Sequence, residues 1–441
     1  MKTPICDFVK DYIEKRPLRL HMPGPKGAPI LGFEEYDVTE ITGADSLYAP
    51  DGIIKESENN ASLLFGCPTY YSTEGASQCI RAMLYLIRQS SKDTVPLIAA
   101  GRNAHKTFVS GAALLDLHVD WLCPEGESYL SCNITPDYLA DYLAKVPQKP
   151  CAVYVTSPDY LGNTVDIGGI AEVCRRYGVL LAVDCAHGAY LRFLETSHHP
   201  MDLGADLCCS SAHKTLPVLT GGAYLHTAEG SATPEQVRAA MVMFGSTSPS
   251  YLILQSLDAA NAYLESYPAR LEEFLPHAEE LKDTLIRHGY TLAGDEPTKL
   301  TLLPKSYGYT GYSLAEKLEE YGIFCEFADP DHLVMMLSTE LGSDGLSSLR
   351  HALTHIPKLN SITDAPPKFT LPPRAMSIRD AALTTAESVS VDDAVGRVLA
   401  SAEVGCPPAV PIAVCGEIIT ADAAECMKYY GITACTVVSE R

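Results

Sequence analysis

The sequence predicts an α/β protein built on a mainly parallel sheet, and two observations support this prediction. From about residue 61, short apolar runs such as "VPLIAAG", "CAVYVTSP", "VLLAVDCAH" and "ADLCCSSAH" alternate with amphipathic helical stretches. Strands that alternate with helices pair in parallel through helical crossovers. The strand-like runs end in polar residues, and ligands of such sheets bind at the carboxyl ends of the strands. We therefore expect the chemistry of the protein at those ends.

Four regions follow one another along the chain. Residues 1–60 are predicted to form an N-terminal arm, a short helix followed by irregular chain rich in Gly and Pro. Residues 61–290 form the large α/β domain, with helices in "GASQCIRAMLYLIRQSS" and "IGGIAEVCRRYG" and long helices towards its end. Residues 291–365 resemble a smaller α+β domain. Beyond a Pro-rich linker, residues 366–441 form a compact C-terminal domain with a predicted helix in "SVDDAVGRVLA".

Composition narrows the class of protein. Of 441 residues, 46% are hydrophobic and 20% charged, which is ordinary for a globular protein. With 33 Lys and Arg against 55 Asp and Glu, the formal charge of −22 argues against nucleic-acid binding. The fifteen cysteines show no C-x-x-C spacing, so we predict no metal site. The sequence has neither a signal-peptide core nor an apolar run of about 18 residues, which predicts a cytoplasmic protein without a membrane partner.

Two features at strand ends could bind a phosphorylated ring. In "STEGASQ", Gly75, Ala76 and Ser77 lead into a helix, whose exposed N–H groups suit a phosphate, although such residues also cap ordinary helices. Asp184 follows a fully apolar strand, and a buried carboxylate needs a cationic or donor partner. A protonated pyridine nitrogen would serve, and a structural turn is the alternative.

Two further features could supply a nucleophile and a ring contact. In "SSAHKTL", a partly desolvated Lys214 would be a usable amine nucleophile, although most lysines are surface residues. Ser211 and His213 beside it could donate to a phosphate. His105 in "GRNAHKTF" is either a structural histidine or one that lies over a cofactor ring. Together and in this order, these features indicate a pyridoxal-phosphate site.

The order and wording of the motifs resemble the short form of the Orn/Lys/Arg decarboxylase family. The resemblance rests on "LHMPGPKG", "ADSLYAPDGIIKESENNASLLFG", "GRNAHKT", "TSPDYLGNTVDI", "SAHKTLPVLT", "STSPSYLILQSLDAA" and "DDAVGRVLASAEVGCPPAVPI". It implies the aspartate aminotransferase-like fold of fold-type-I enzymes, with pyridoxal 5'-phosphate as cofactor. It also implies a homodimer as the minimal active unit.

The resemblance assigns roles residue by residue. Lys214 would form the imine with the cofactor, Asp184 would pair with its pyridine nitrogen, and His213 would be a candidate proton donor. Glu326 would meet the distal cation of the substrate. The cofactor-binding set would be completed by Ala76, Ser77, His105, Ala186, His187, Ser211, Ser246, Thr247 and Ser248, of which 246–248 would reach the phosphate of the neighbouring subunit.

The implied activity is decarboxylation of arginine, lysine or ornithine, giving a polyamine or its precursor and CO₂. The alternatives are another fold-type-I activity, such as an aminotransferase or a lyase, and a catalytically silent homologue. An aminotransferase normally fixes the α-carboxylate with an arginine of the small domain, where residues 291–365 contain only Arg350. Four departures from the family pattern, namely Pro25, Glu74, Cys185 and Tyr190, leave substrate choice and rate open.

Overall fold

The computed structural model describes residues 1–124, 131–368, 370–401 and 410–440. The α-helices are α1 (Pro4–Glu14), α2 (Ile53–Phe65), α3 (Gly75–Ser90), α4 (Lys106–Leu115), α5 (Pro136–Lys145), α6 (Ile167–Tyr177), α7 (Ala212–Thr215), α8 (Pro234–Val242), α9 (Tyr251–Leu264), α10 (Tyr267–His288), α11 (Gly311–Glu319), α12 (Gly342–His355), α13 (Ile378–Leu383) and α14 (Ala421–Tyr429). Short 3-10 helices lie at Glu34–Tyr36, Ala189–Phe193, Pro304–Tyr307 and Thr339–Leu341.

The strands are β1 (Thr69–Ser72), β2 (Leu97–Gly101), β3 (His118–Leu122), β4 (Ala152–Thr156), β5 (Leu180–Asp184), β6 (Leu207–Ser210), β7 (Ala223–Thr227), β8 (Leu292–Ala293), β9 (Lys299–Leu302), β10 (Phe327–Ala328), β11 (Leu333–Met336), β12 (Ala386–Ser390) and β13 (Ala434–Val438). The elements fall into two compact units. The first unit combines 1–90 with 180–271, and the second combines 91–179 with 272–441.

The first unit contains the strands in the order β1-β7-β6-β5. β5 and β6 are parallel, with Asp184 level with Cys209, whereas β7 is antiparallel to both β6 and β1. Helix α3 packs on β1, β6 and β7. Because β5 and β6 run in the same direction, the residues that follow them emerge at the same edge.

Two buried aspartates of this unit lie in quoted motifs and accept hydrogen bonds from the starts of N-terminal helices. Asp258, in "STSPSYLILQSLDAA", accepts hydrogen bonds from the N–H groups of Ile5 and Cys6, both at 2.9 Å, in the first turn of α1. Asp45 accepts from the N–H of Ile54 at 3.0 Å in the first turn of α2. Each carboxylate satisfies N–H groups that a helix start leaves without an intrahelical partner. These motif residues hold the N-terminal helices in place.

The second unit contains three groups of strands. β4, β2 and β3 pair in parallel in that order. β10, β11, β9 and β8 form an antiparallel sheet whose core includes Leu300, Leu314 and Leu333. β12 pairs with β13 beside a separate apolar cluster that includes Leu399 and Ile412.

Most predicted elements agree with the structure, and one is wrong. Strands form within all four predicted apolar runs, and helices α3 and α6 cover the two predicted helical stretches. The helix predicted in "SVDDAVGRVLA" does not form: Ser390 ends β12, turns follow, and Gly396 adopts φ +84°. Val398 and Leu399 instead make β-bridges with Ile418 and Val437, and these tertiary pairings override the helical pattern.

Other sequence-based expectations stay predictions. The four-part division at residues 60, 290 and 365 is one of them. Part of the C-terminal motif, residues 402–409, lies outside the described residues. Within the described ranges, no helix is both long enough and apolar enough to cross a membrane.

Candidate active site

The end of β5 places a carboxylate in a buried position. Asp184, the last residue of β5, is 2% exposed. Its Oδ1 accepts a hydrogen bond from the N–H of Ala186 at 3.1 Å and another from the Cys209 thiol at 3.5 Å. Burial, together with the charge of Asp184, raises the pKa of Cys209 well above its usual value, so this thiol stays protonated as a donor. A carboxylate buried to this degree suits a cationic ligand.

The end of β6 places an amine beside the same strand end. Ser210 closes β6, Ser211 precedes α7, and Lys214 lies in this short helix. The Nζ of Lys214 is 3.1 Å from Nε2 of His187, which follows β5 and is 6% exposed. The two parallel strands thus bring together the predicted Lys214 and His187, three residues beyond Asp184. Sequence reasoning placed His187 in the cofactor site but missed its contact with the lysine.

A glycine turn and His213 lie together at the start of α3. Gly75 has φ +69°, in the left-handed region that favours glycine, and its N–H donates to the carbonyl of Gly221 at 2.7 Å. His213 contacts the carbonyl of Gly222 through Nδ1 at 2.9 Å. A Cβ on Gly75 would lie 3.9 Å from Cε1 of His213.

The residues predicted to bind the phosphate therefore lie beside two glycine-containing segments, at Gly75 and at Gly221–Gly222. Ala76 and Ser77 open the 16-residue helix α3, where N–H groups and the helix dipole favour an anion. Ser211 is 3% exposed and precedes α7, and Ala186 is half-buried. The signal in the sequence that could have revealed the second segment is the Gly221–Gly222 pair after "SSAHKTLPVLT".

The loop before α9 is exposed. Ser246, Thr247 and Ser248 are all exposed, and the N–H of Ser248 donates to Oγ of Ser246 at 3.1 Å. The N–H of Ser246 also donates to the carboxylate of Glu74, one of the departures from the family pattern. Glu74 therefore holds this loop beside the turn that precedes α3.

Two predicted residues belong to the second unit. His105 is exposed and caps α4, with its Nδ1 accepting from the N–H of Thr107 at 3.2 Å. Glu326 is exposed, and its Oε1 accepts a hydrogen bond from the hydroxyl of Tyr160 at 3.0 Å. Burial, followed by the charge of Glu326, raises the pKa of Tyr160, so this hydroxyl remains a donor. Sequence reasoning missed Tyr160, although it lies in the quoted motif "TSPDYLGNTVDI".

The fold and this arrangement define a fold-type-I, pyridoxal-phosphate-dependent enzyme. A lysine amine, a buried carboxylate and a helix start fit the aldehyde, the pyridine nitrogen and the phosphate of that cofactor. The solved lysine decarboxylase LdcF of Francisella novicida has a similar fold, with a TM-score of 0.81 and 16% identity over 99% of this chain and 81% of that one. The constitutive lysine decarboxylase of E. coli has a TM-score of 0.76 at 18% identity, over 99% of this chain and 82% of that one.

The chain belongs to the Orn/Lys/Arg decarboxylase family. The family's major domain matches residues 3–301, and its C-terminal domain matches residues 359–436. A protein named arginine decarboxylase from Bacillus subtilis (strain 168) is 30% identical over 95% of this chain and 91% of its own length. Another arginine decarboxylase, from Halalkalibacterium halodurans, is 31% identical over the same shares of the two chains.

Proposed function

We propose that the protein decarboxylates a basic amino acid, with arginine as the leading substrate and lysine and ornithine as the competing ones. The observation that carries the proposal is the Lys214–His187 pair beside the buried carboxylate of Asp184, at the ends of two neighbouring strands. Support for arginine comes from relatives named arginine decarboxylase at 30% and 31% identity. The amine product would be a polyamine or its precursor.

In this proposal Lys214, Asp184 and His213 are the catalytic residues. Pyridoxal phosphate, when bound, supplies the electron sink for the electrons that remain when CO₂ leaves. Lys214 holds the cofactor by its amine, and His187 orients Nζ through their 3.1 Å contact. Asp184 holds a proton on the pyridine nitrogen. His213 or a residue of a second subunit returns a proton to Cα.

The remaining residues of the set hold the cofactor in place. The backbone of Ala76 and the side chains of Ser77, Ser211 and His213 surround the phosphate. Ala186 would pack under the ring of the bound cofactor, and His105 would stack over it. Two observations support this assignment: Ala76 and Ser77 lie at the start of α3, and Gly75 brings that start to His213.

Glu326 is proposed to select a cationic side chain. A carboxylate attracts the distal cation of a basic amino acid and offers a neutral side chain no ionic partner, so Glu326 would favour basic substrates. Tyr160 is a positioning residue, because its hydroxyl holds Oε1 of Glu326 at 3.0 Å. Its ring packs edge-on against Phe327, with 5.5 Å between the ring centroids.

A homodimer is the proposed active form. Ser246, Thr247 and Ser248 are exposed and would reach the phosphate of the second subunit. The N-terminal arm also exposes large apolar side chains, with Leu18 84% and Leu20 83% exposed, which suits burial against another copy. The proposed location is the cytoplasm, because the cysteines of the described residues are all free thiols.

A panel of CO₂-release assays tests the proposal. Purified protein, supplied with the cofactor, is given arginine, lysine, ornithine and neutral amino acids, and both CO₂ and keto acid are measured. We expect CO₂ without keto acid from a basic amino acid only, and none from a Lys214→Ala variant. Keto-acid formation would favour an aminotransferase. Such an enzyme needs an arginine to bind the α-carboxylate of its substrate, and the exposed Arg350 is poorly suited to that role. No product with any substrate, despite bound cofactor, would favour a catalytically silent homologue.

A further inference from the structure

A buried group of sulfur and nitrogen donors lies next to the strand that carries Asp184. Cys185, His199 and Cys208 are each 0% exposed. One donor atom from each, two thiol sulfurs and a ring nitrogen, lie within 4.8 Å of one another. The three residues come from three segments: the residue after β5, a loop, and β6.

Two buried imidazoles beside the thiols have nitrogen atoms without hydrogen bonds. Among the described residues, Nδ1 of His199 and Nε2 of His226 are buried and have no hydrogen-bond partner. The two rings meet edge-on with centroids 4.9 Å apart, and both pack against Phe65. Buried polar atoms are normally satisfied, so two orphaned nitrogens in one cluster need an explanation.

The register of the sheet places His226 beside the cysteines. Cys208 and His226 are direct partners across the antiparallel strands β6 and β7. Directly opposed side chains lie on one face, with Cβ atoms about 5 Å apart. On the other side of His226, Nδ1 contacts Oγ1 of Thr69 at 3.0 Å, which orients the ring. His226 lies outside the group whose donor atoms are within 4.8 Å of one another, so it would become a fourth donor only after its ring shifts towards the thiols.

We propose that Cys185, Cys208 and His199 bind one Zn²⁺ ion, and that the ring of His226 moves in to complete the site as the fourth ligand. Two thiolates and two imidazoles form a tetrahedral donor set that zinc prefers in structural sites. Binding replaces the two thiol protons, which are released to solvent, so the ion and its two thiolates are neutral together. A neutral complex is compatible with full burial, which an isolated ion would not be.

The proposed ion would fix the end of β5 and does not depend on the decarboxylase assignment. Cys185 directly follows Asp184, so a metal bond to its sulfur would hold the backbone that carries the cofactor-facing carboxylate. Cys185 is also one of the departures from the family pattern. The prediction of no metal site was based on cysteine spacing, which does not detect ligands drawn from residues 185, 199, 208 and 226.

Metal analysis of the full-length protein tests the site. Wild type, Cys185→Ser, Cys208→Ser and a control, Cys174→Ser, are purified without chelator and then offered one equivalent of Zn²⁺ under reducing conditions. Cys174 is 1% exposed, in α6 of the other unit, so it controls for loss of a buried thiol. We expect about one tightly held zinc per chain in wild type and control, and loss of at least ten-fold in affinity in the two variants.

Two results would overturn the proposal. One is a wild-type protein that holds no zinc after reconstitution, and the other is zinc retained equally by both cysteine variants. If the variants do not fold, Co²⁺ substitution of the wild type decides. Thiolate ligation then gives a sulfur-to-cobalt charge-transfer band, and its absence would contradict the site. Because metal content is measured without turnover, these results are independent of whether the enzyme releases CO₂.

Discussion

The buried ion pair between Arg102 and Glu417 allows us to predict how much stability the protein loses when one partner is removed. Their side chains are 0% and 4% exposed, and two hydrogen bonds of 2.5 and 2.7 Å join guanidinium to carboxylate. Glu417 also accepts from the N–H of Val414 at 2.7 Å. A Glu417→Gln change keeps an acceptor for Val414 but leaves the charge of Arg102 buried and unpaired.

We expect Glu417→Gln to lower the free energy of unfolding by about 3 to 5 kcal/mol, because removing one partner of a buried pair leaves an uncompensated charge. An exposed pair would contribute no more than about 1 kcal/mol. The double change Arg102→Met with Glu417→Gln removes both charges, so it should cost about 2 kcal/mol less than Glu417→Gln alone. The double variant is therefore the more stable of the two.

The chain has a single tryptophan that reports on this pair. The guanidinium of Arg102 lies 5.3 Å from the ring centroid of Trp121, so Trp121 fluorescence follows unfolding around Arg102. Urea titrations of wild type, single and double variants give the free energies of that transition. Equal destabilisation by the single and double changes would refute the reasoning, because the cost would then not come from an unpaired charge.

Three further predictions concern the site. Lys214→Ala should abolish borohydride trapping of the cofactor as well as CO₂ release; trapping on another lysine, found by peptide mass mapping, would contradict the assignment. Tyr160→Phe removes the 3.0 Å hydrogen bond to Glu326 and should raise the KM for arginine about 3- to 10-fold, with the cofactor Kd from spectrophotometric titration unchanged. Gly75→Ala forces a Cβ into φ +69° and should cost about 1 to 2 kcal/mol in thermal unfolding, whereas Gly168→Ala, outside the left-handed region, should not show this loss.

The sequence was most informative where chemistry follows a strand. The apolar runs predict Asp184 and Lys214 as site residues, and parallel pairing of β5 and β6 explains why Lys214 and His187, which follow these strands, meet. The contacts that complete the site were not predictable in this way. The Lys214–His187 contact and the Tyr160–Glu326 hydrogen bond join residues 27 and 166 positions apart, and no local pattern marks such pairs.

Motif wording by itself does not separate catalytic from structural residues. Asp184 ends β5 and Asp258 lies in a quoted motif, yet the hydrogen bonds that Asp258 accepts come from the first turn of α1 and from Ser57. The distinction needs the partners of each carboxylate. The same limit explains the helix wrongly predicted in "SVDDAVGRVLA": its pattern suits a helix, but β-bridges formed by Val398 and Leu399 decide its structure.

The end of β5 joins the two sites that the structure suggests. Successive side chains of a strand point to opposite faces, and here Asp184 contacts Cys209 whereas Cys185 belongs to the group with Cys208. Cys208 and Cys209 are consecutive residues of β6, so their side chains also point to opposite faces. A ligand held by Cys185 and Cys208 would therefore set the spacing of β5 and β6 without entering the cofactor side. Asp184 ends β5 and Lys214 follows β6, so that spacing would determine how the carboxylate and the amine are placed for the proposed cofactor ring.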